Sequence, residues 1–102
     1  MSPHAGQLVV TVVFRAKPEF RGEFRAAMLE NAAASRTHEP GCRLFDVCES
    51  ADGAEIFLYE IYDDEAAFQD HLASAHFKRF NAAVAPWVAE KRIVNYRLVA
   101  TT

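Results

Sequence analysis

The sequence predicts an α+β domain in the order β-α-β-β-α-β, a ferredoxin-like split βαβ subunit whose second helix is broken. Three observations predict it. Two runs rich in β-branched and aromatic residues, LVVTVVFRA and EIFLYEIY, read as strands. Two longer segments repeat their apolar residues at helical spacing. Ser74 and Pro86 interrupt the second of these.

The elements follow in order. Leu8 to Ala16 is the first strand. Pro18 then opens a helix, as proline in a first turn can, and Phe20, Phe24, Ala27 and Met28 recur on one face. That helix ends near His38, because Pro40 biases Glu39 away from helix and Gly41 permits a turn. Cys42 to Glu49 is the second strand, Asp52-Gly53 a hairpin signal, and Glu55 to Tyr62 the third strand. Asp63 or Asp64 caps the next helix, which carries Ala67, Phe68 and Leu72. Ser74 caps a continuation with Phe77, Phe80, Val84 and Val88, which Pro86 kinks or splits, and Ile93 to Ala100 is the last strand.

The 102 residues suit one domain, over residues 8–102, with residues 1–7 a flexible lead-in. The chain has 11 basic and 14 acidic residues, a net charge of −3, and no basic stripe, which argues against nucleic acid or an anionic membrane as partner. No apolar run is long enough to span a bilayer, and MSPHAGQ lacks the pattern of a secretory signal. Cys42 and Cys48 share a strand, where six residues span about 20 Å, so they cannot bridge each other. Reduced thiols fit a cytoplasmic protein.

The strands carry a further message. A split βαβ layer has helices on one sheet face, so the other face should be polar if it meets water. Here Val9 and Val13 oppose Val10, Val12 and Phe14, and Phe57, Tyr59 and Ile61 oppose Ile56, Leu58 and Tyr62. Both faces are apolar, and a second copy of the chain covers the open one in a sheet-to-sheet homodimer.

Polar residues on apolar faces mark candidate chemistry. At about 100° per residue Asn31 falls near the middle of the first helix's buried stripe. It is either a structural hydrogen-bonding amide or a donor aimed into a pocket for a developing oxyanion. His71 and His76 flank the apolar stripe of the second helix. Each is a boundary histidine bonded to backbone or an acid–base group near neutral pH. A metal site is not expected: HxxxxH is a poor bidentate spacing, and Asp46 and Glu60 would have to converge from strands. Asp46 fits an ion pair with Arg43, Arg92 or Arg97, Glu60 stays open between ion pair and acid–base work, and Trp87 reads as a lid on the core. No GxGxxG, P-loop or GxSxG motif is present.

EPGCRLFDVCES followed by IFLYEIYDDEAAFQDHLASAHFKRF resembles the antibiotic biosynthesis monooxygenase family, and within it the branch of quinol monooxygenases and autoinducer-2-processing proteins. Pro40-Gly41, Phe45-Asp46-Val47, Tyr59-Glu60, Tyr62, Phe68, His71 and Ser74-Ala75-His76-Phe77 carry the likeness, in order and spacing over nearly the whole chain. The resemblance implies a dimeric α+β barrel with a pocket between sheet and helices in each subunit. It implies an enzyme that inserts oxygen from O₂ into a small quinol or polyphenol without metal, flavin or haem. His71 or His76 would be the base and Asn31 would hold the oxygen, with Phe24, Met28, Phe45, Tyr59, Glu60, Phe77 and Trp87 as pocket residues. Haem-degrading relatives use a helix tryptophan and a later ligating histidine, and those positions hold His71 and Asn81 here, so no haem is expected. Other readings are an isomerase on a small oxygenated or phosphorylated metabolite, with Lys78, Arg79 or Arg92 for the phosphate, and a non-catalytic dimeric binder of small ligands.

Overall fold

The computed structural model describes residues 5–102, so residues 1–4 of the expected lead-in lie outside the described residues. Gly6 N–H donates to Leu98 C=O, and Leu98 N–H to Gln7 C=O, each at 2.8 Å, which extends the first strand's pairing backwards. The elements are β1 (Leu8–Ala16), a 3-10 turn (Pro18–Phe20), α1 (Arg21–His38), β2 (Cys42–Glu49), β3 (Glu55–Tyr62), α2 (Glu65–Ala73), α3 (Ala75–Val84), a second 3-10 turn (Ala85–Trp87) and β4 (Val88–Arg97). They form one antiparallel sheet in the order β2-β3-β1-β4. The split βαβ fold expected from the pattern is what forms.

Local chemistry sets the boundaries. The Asp64 carboxylate accepts from Ala67 N–H at 2.8 Å and caps α2. Ser74 ends α2 in extended backbone and its hydroxyl oxygen accepts from Phe77 N–H at 3.2 Å, so one residue stops one helix and starts the next. Gly53 sits at φ +73, as the β2–β3 hairpin requires. No helix among the described residues is long and apolar enough to cross a membrane.

One boundary differs. β4 starts at Val88 and ends at Arg97, where Ile93 to Ala100 was expected. Lys91 pairs with Phe14 and Glu90 with Arg15, so charged residues make the strand's first half. Main-chain pairing defines a strand, and an edge strand tolerates charges that read in sequence as a loop.

The core lies between the helices and the face formed by Val10, Val12, Phe14, Ile56, Leu58 and Tyr62. Phe24 and Met28 of α1 and Phe80 and Val84 of α3 complete it. On the opposite face Phe57, Val94 and Tyr96 are exposed, Tyr96 by 55%. Cys42 and Cys48 are unbridged thiols. Asp46, expected in an ion pair, has none among the described residues. Arg43 instead binds Asp63 at 2.6 Å, and Asp46 is solvated on the outer strand.

Candidate active site

The break at Ser74 decides the histidine geometry. A continuous helix would hold His71 and His76 on opposite flanks; the turn between α2 and α3 instead brings the rings to 6.1 Å, centre to centre. They meet at Glu39, which sequence reasoning left as a helix terminator. His71 Nδ1 lies 2.8 Å from Glu39 Oε2 and 3.1 Å from Oε1, and His76 Nε2 bonds the same Oε2. Spacing thus misjudged this pair, because the third member comes from a different element.

Glu39 reaches this point for local reasons. It caps α1 in extended backbone, and its N–H donates to Ser35 C=O at 3.1 Å. Pro40 prevents the helix from continuing. Gly41 then lets α2 approach: a Cβ there would lie 2.6 Å from Ala67 Cβ. Asp63 N–H donates to Gly41 C=O at 2.9 Å and locks the approach.

The proton positions follow. Ser35 O–H donates to Asn31 C=O at 2.8 Å, so it has no proton for His71 Nδ1. An imidazole nitrogen facing a carboxylate carries its own hydrogen. His71 is therefore an Nδ1–H donor to Glu39, and its Nε2 is left with a lone pair. The ring is 3% exposed and walled by Tyr62, Phe68, Phe45 and Phe77 at centroid distances of 5.0 to 6.1 Å. Burial pushes its pKa below the ordinary value, against the pull of the Glu39 carboxylate.

His71, Asn31 and Glu60 line one cavity of about 50 Å³ between the sheet and the helices. Its apolar walls include Met28, Phe45, Phe68, Phe77 and Phe80, and Lys91 and Ile93 of β4 stand at its side. Asn31 is 5% exposed and its Oδ1 is a buried acceptor without a partner among the described residues. An orphaned acceptor costs about 1–3 kcal/mol unless something fills the space beside it. Glu60 is 3% exposed and accepts a hydrogen bond from Tyr62 O–H at 2.5 Å. Burial raises its pKa to about 7; the Tyr62 bond opposes the rise, the Glu39 charge adds to it and Lys91 opposes it. Burial also pushes the Cys42 thiol up to about 11, which makes it inert.

Met28, Phe45, Glu60 and Phe77 line the cavity. Phe24 does not; its ring packs 5.0 Å from Phe14 and 6.2 Å from Phe80, behind the wall. Tyr59 pairs with Asp46 and Thr11 and so lies on the open sheet face, the other side of the strand from Glu60. Trp87 stacks on Phe20 at 5.9 Å, a lid on the core away from the cavity. His76 faces outward to a groove of about 530 Å³ that also contains Glu39. Lys91 was missed because it reads as a surface lysine; its register opposite Phe14 turns it toward the helix side.

A divalent ion could be offered Glu39, His71 and His76, whose ligand atoms lie within 4.8 Å of one another. Those atoms already satisfy each other, since one carboxylate oxygen takes an N–H from each ring. Their chemistry suits a fixed imidazole as well as a cation.

Comparison with known proteins agrees with this architecture. Residues 7–83 match the family model described as antibiotic biosynthesis monooxygenase. The chain is 35% identical over 77 residues to "Putative monooxygenase Rv0793" of Mycobacterium tuberculosis, covering 76% of this chain and 75% of that one. The solved structure of Rv0793 superposes with a TM-score of 0.80 at 29% identity, over 94% and 96% of the two chains. The structure of a "Putative antibiotic biosynthesis monooxygenase from Nitrosomonas europaea" superposes with a TM-score of 0.89 at 30% identity, over 96% and 95% of the two chains. The chain belongs to the antibiotic biosynthesis monooxygenase family.

Proposed function

We propose that the protein is a cofactor-independent monooxygenase that oxidises a small quinol or related phenol with O₂. The observation that carries the reading is the pairing of His71 and Asn31 in one aromatic-walled cavity. His71 Nε2 takes the phenolic proton, and the Nδ1–H bond to Glu39 steadies the imidazolium that forms. The electron-rich phenolate then reduces O₂ directly. Asn31 offers Oδ1 to a substrate hydroxyl; turned about χ2 it offers its NH₂ to the oxyanion. The cavity at about 50 Å³ is smaller than the ~150 Å³ that holds a benzene ring, so substrate entry widens it. Phe45, Phe68, Leu72 and Phe77 on its wall are only half-buried, so widening falls to these side chains rather than to the buried Met28 and Phe80.

The test is O₂ uptake with a panel of hydroquinones and naphthols, corrected for their spontaneous oxidation. The expected result is uptake that persists in chelator and yields an oxygenated ring. No uptake across the panel, or uptake abolished by chelator, rejects the reading.

The subunit acts as a homodimer in this proposal. Phe57, Val94 and Tyr96 give the open sheet face exposed apolar surface in a chain too small to leave it wet at no cost. Light scattering at micromolar concentration should return twice the 11.4 kDa chain mass. A species at the single-chain mass alone would rule the dimer out.

A further inference from the structure

The reaction proposed above needs more proton transfers than one histidine performs, and the cavity holds a second ionisable group on its opposite wall. His71 projects from α2 and Glu60 from β3, and both line the same space. The Glu60 carboxyl is anchored on one oxygen by the fully buried Tyr62 hydroxyl. It forms no salt bridge among the described residues, unlike Glu39, which two histidines engage. A buried carboxyl facing a cavity with no cation in direct contact is costly for stability alone.

We propose that Glu60, positioned by Tyr62, is the second acid–base group of the cavity, handling the proton of the peroxide intermediate and then that of the ring carbon. The inference rests on the monooxygenase reading. The substrate O–H gives its proton to His71 Nε2, leaving a phenolate. The phenolate gives one electron to O₂, and the two radicals join in a new C–O bond that carries a terminal peroxide anion. Glu60, entering as the neutral acid, protonates that anion. The Glu60 carboxylate then takes the proton from the same ring carbon. The C–H electron pair becomes the second bond of a new C=O, the O–O bond breaks, and the departing hydroxide takes the proton from His71 and leaves as water. One C–H has become C=O, one O₂ has given one ring oxygen and one water, and both residues regain their starting states.

The ionisation of Glu60 suits the role. A carboxyl titrating near 7 is available as acid and as base at neutral pH. The ionisable groups around it are Tyr62 on β3, Lys91 on β4, Glu39 at the end of α1, His71 on α2 and the neutral Cys42 thiol on β2. Lys91 and the Tyr62 bond favour the carboxylate, and Glu39 disfavours it.

The experiment measures O₂ consumed, hydrogen peroxide released and oxygenated product formed from a naphthohydroquinone. In the wild type, product equals O₂. In Glu60→Gln the first deprotonation and O₂ reduction persist, but the peroxide anion takes the proton of the second ring hydroxyl instead and is expelled: the ring becomes the quinone, and the departing hydroperoxide anion takes the proton from His71 and leaves as hydrogen peroxide. Product per O₂ should fall at least tenfold, with hydrogen peroxide making up the difference. Glu60→Gln with the wild-type ratio overturns the proposal. Tyr62→Phe keeps the carboxyl and removes a donor to its ionised form. It should move the alkaline limb of kcat/KM to higher pH, and an unmoved limb also overturns the proposal, which keeps a test if the glutamine variant misfolds. A wild type that consumes no O₂ rejects the monooxygenase reading itself, a result distinct from either variant's.

Discussion

His71→Ala should lower kcat/KM for a hydroquinone by about 10²–10⁴-fold, the usual contribution of a positioned acid–base group. The two histidines are not equivalent in the structure. His71 is on the cavity wall with one nitrogen committed to Glu39 and the other free, whereas His76 reaches the same carboxylate from the outer groove. His76→Ala leaves Glu39 charged and bonded to His71, and its expected loss is under about tenfold, a neighbour's effect rather than that of the base. Glu39→Gln keeps the shape but removes the charge. Its amide can donate to His71 Nδ1 as readily as accept from it, so the tautomer with a free Nε2 is no longer enforced. The expected fall is at least about 10²-fold, mainly in kcat, as when the orienting carboxylate of a catalytic histidine is lost. Because burial lowers the His71 pKa, the acid limb of the wild-type profile should lie below the ordinary 6.5. A His76→Ala loss equal to or greater than that of His71→Ala would reverse the assignment.

How much of this was legible in the sequence differs between fold and site. The strand and helix order was legible because each element announces itself locally: β-branched runs, Pro18 at a helix start, Asp52-Gly53 in a hairpin, and Ser74 as both stop and cap. The start of β4 was not, because Glu90, Lys91 and Arg92 form a strand through pairing with β1 rather than through apolarity. Asn31, Glu60 and His71 were visible as polar residues at apolar positions, and all three are buried. Glu39 was invisible because its neighbours Pro40 and Gly41 explain it fully as a helix end. Its partners depend on the close pass of Gly41 beside Ala67, which no local pattern encodes. The pocket walls were half legible for a related reason. Aromatic character marks Phe24, Tyr59 and Trp87 as packing residues but does not tell a wall of the cavity from the layer behind it, the far sheet face or the lid.

Phe24→Ala should be the most destabilising single change at a residue that does not touch the cavity. The side chain is 1% exposed and its ring packs against both Phe14 and Phe80, which touch each other and line the cavity. Removing it costs the lost transfer energy plus the cavity left behind, about 3–5 kcal/mol for a buried phenylalanine. A domain of this size has roughly 5–15 kcal/mol in total. At about 4–8 °C per kcal/mol the midpoint should fall by tens of degrees. The contrast is Val99→Ala: Val99 is 74% exposed, and its loss should stay within about 0.5 kcal/mol. Denaturant unfolding of both variants at one fixed protein concentration makes the comparison, since the stability of the proposed dimer varies with concentration. A Phe24→Ala loss under about 1 kcal/mol would mean the three-ring cluster collapses around the gap. The cavity wall would then be soft enough to admit an aromatic substrate by moving Phe14 and Phe80. A loss in the full range means the back wall is rigid, and the room for substrate must come from the half-buried wall residues Phe45, Phe68, Leu72 and Phe77.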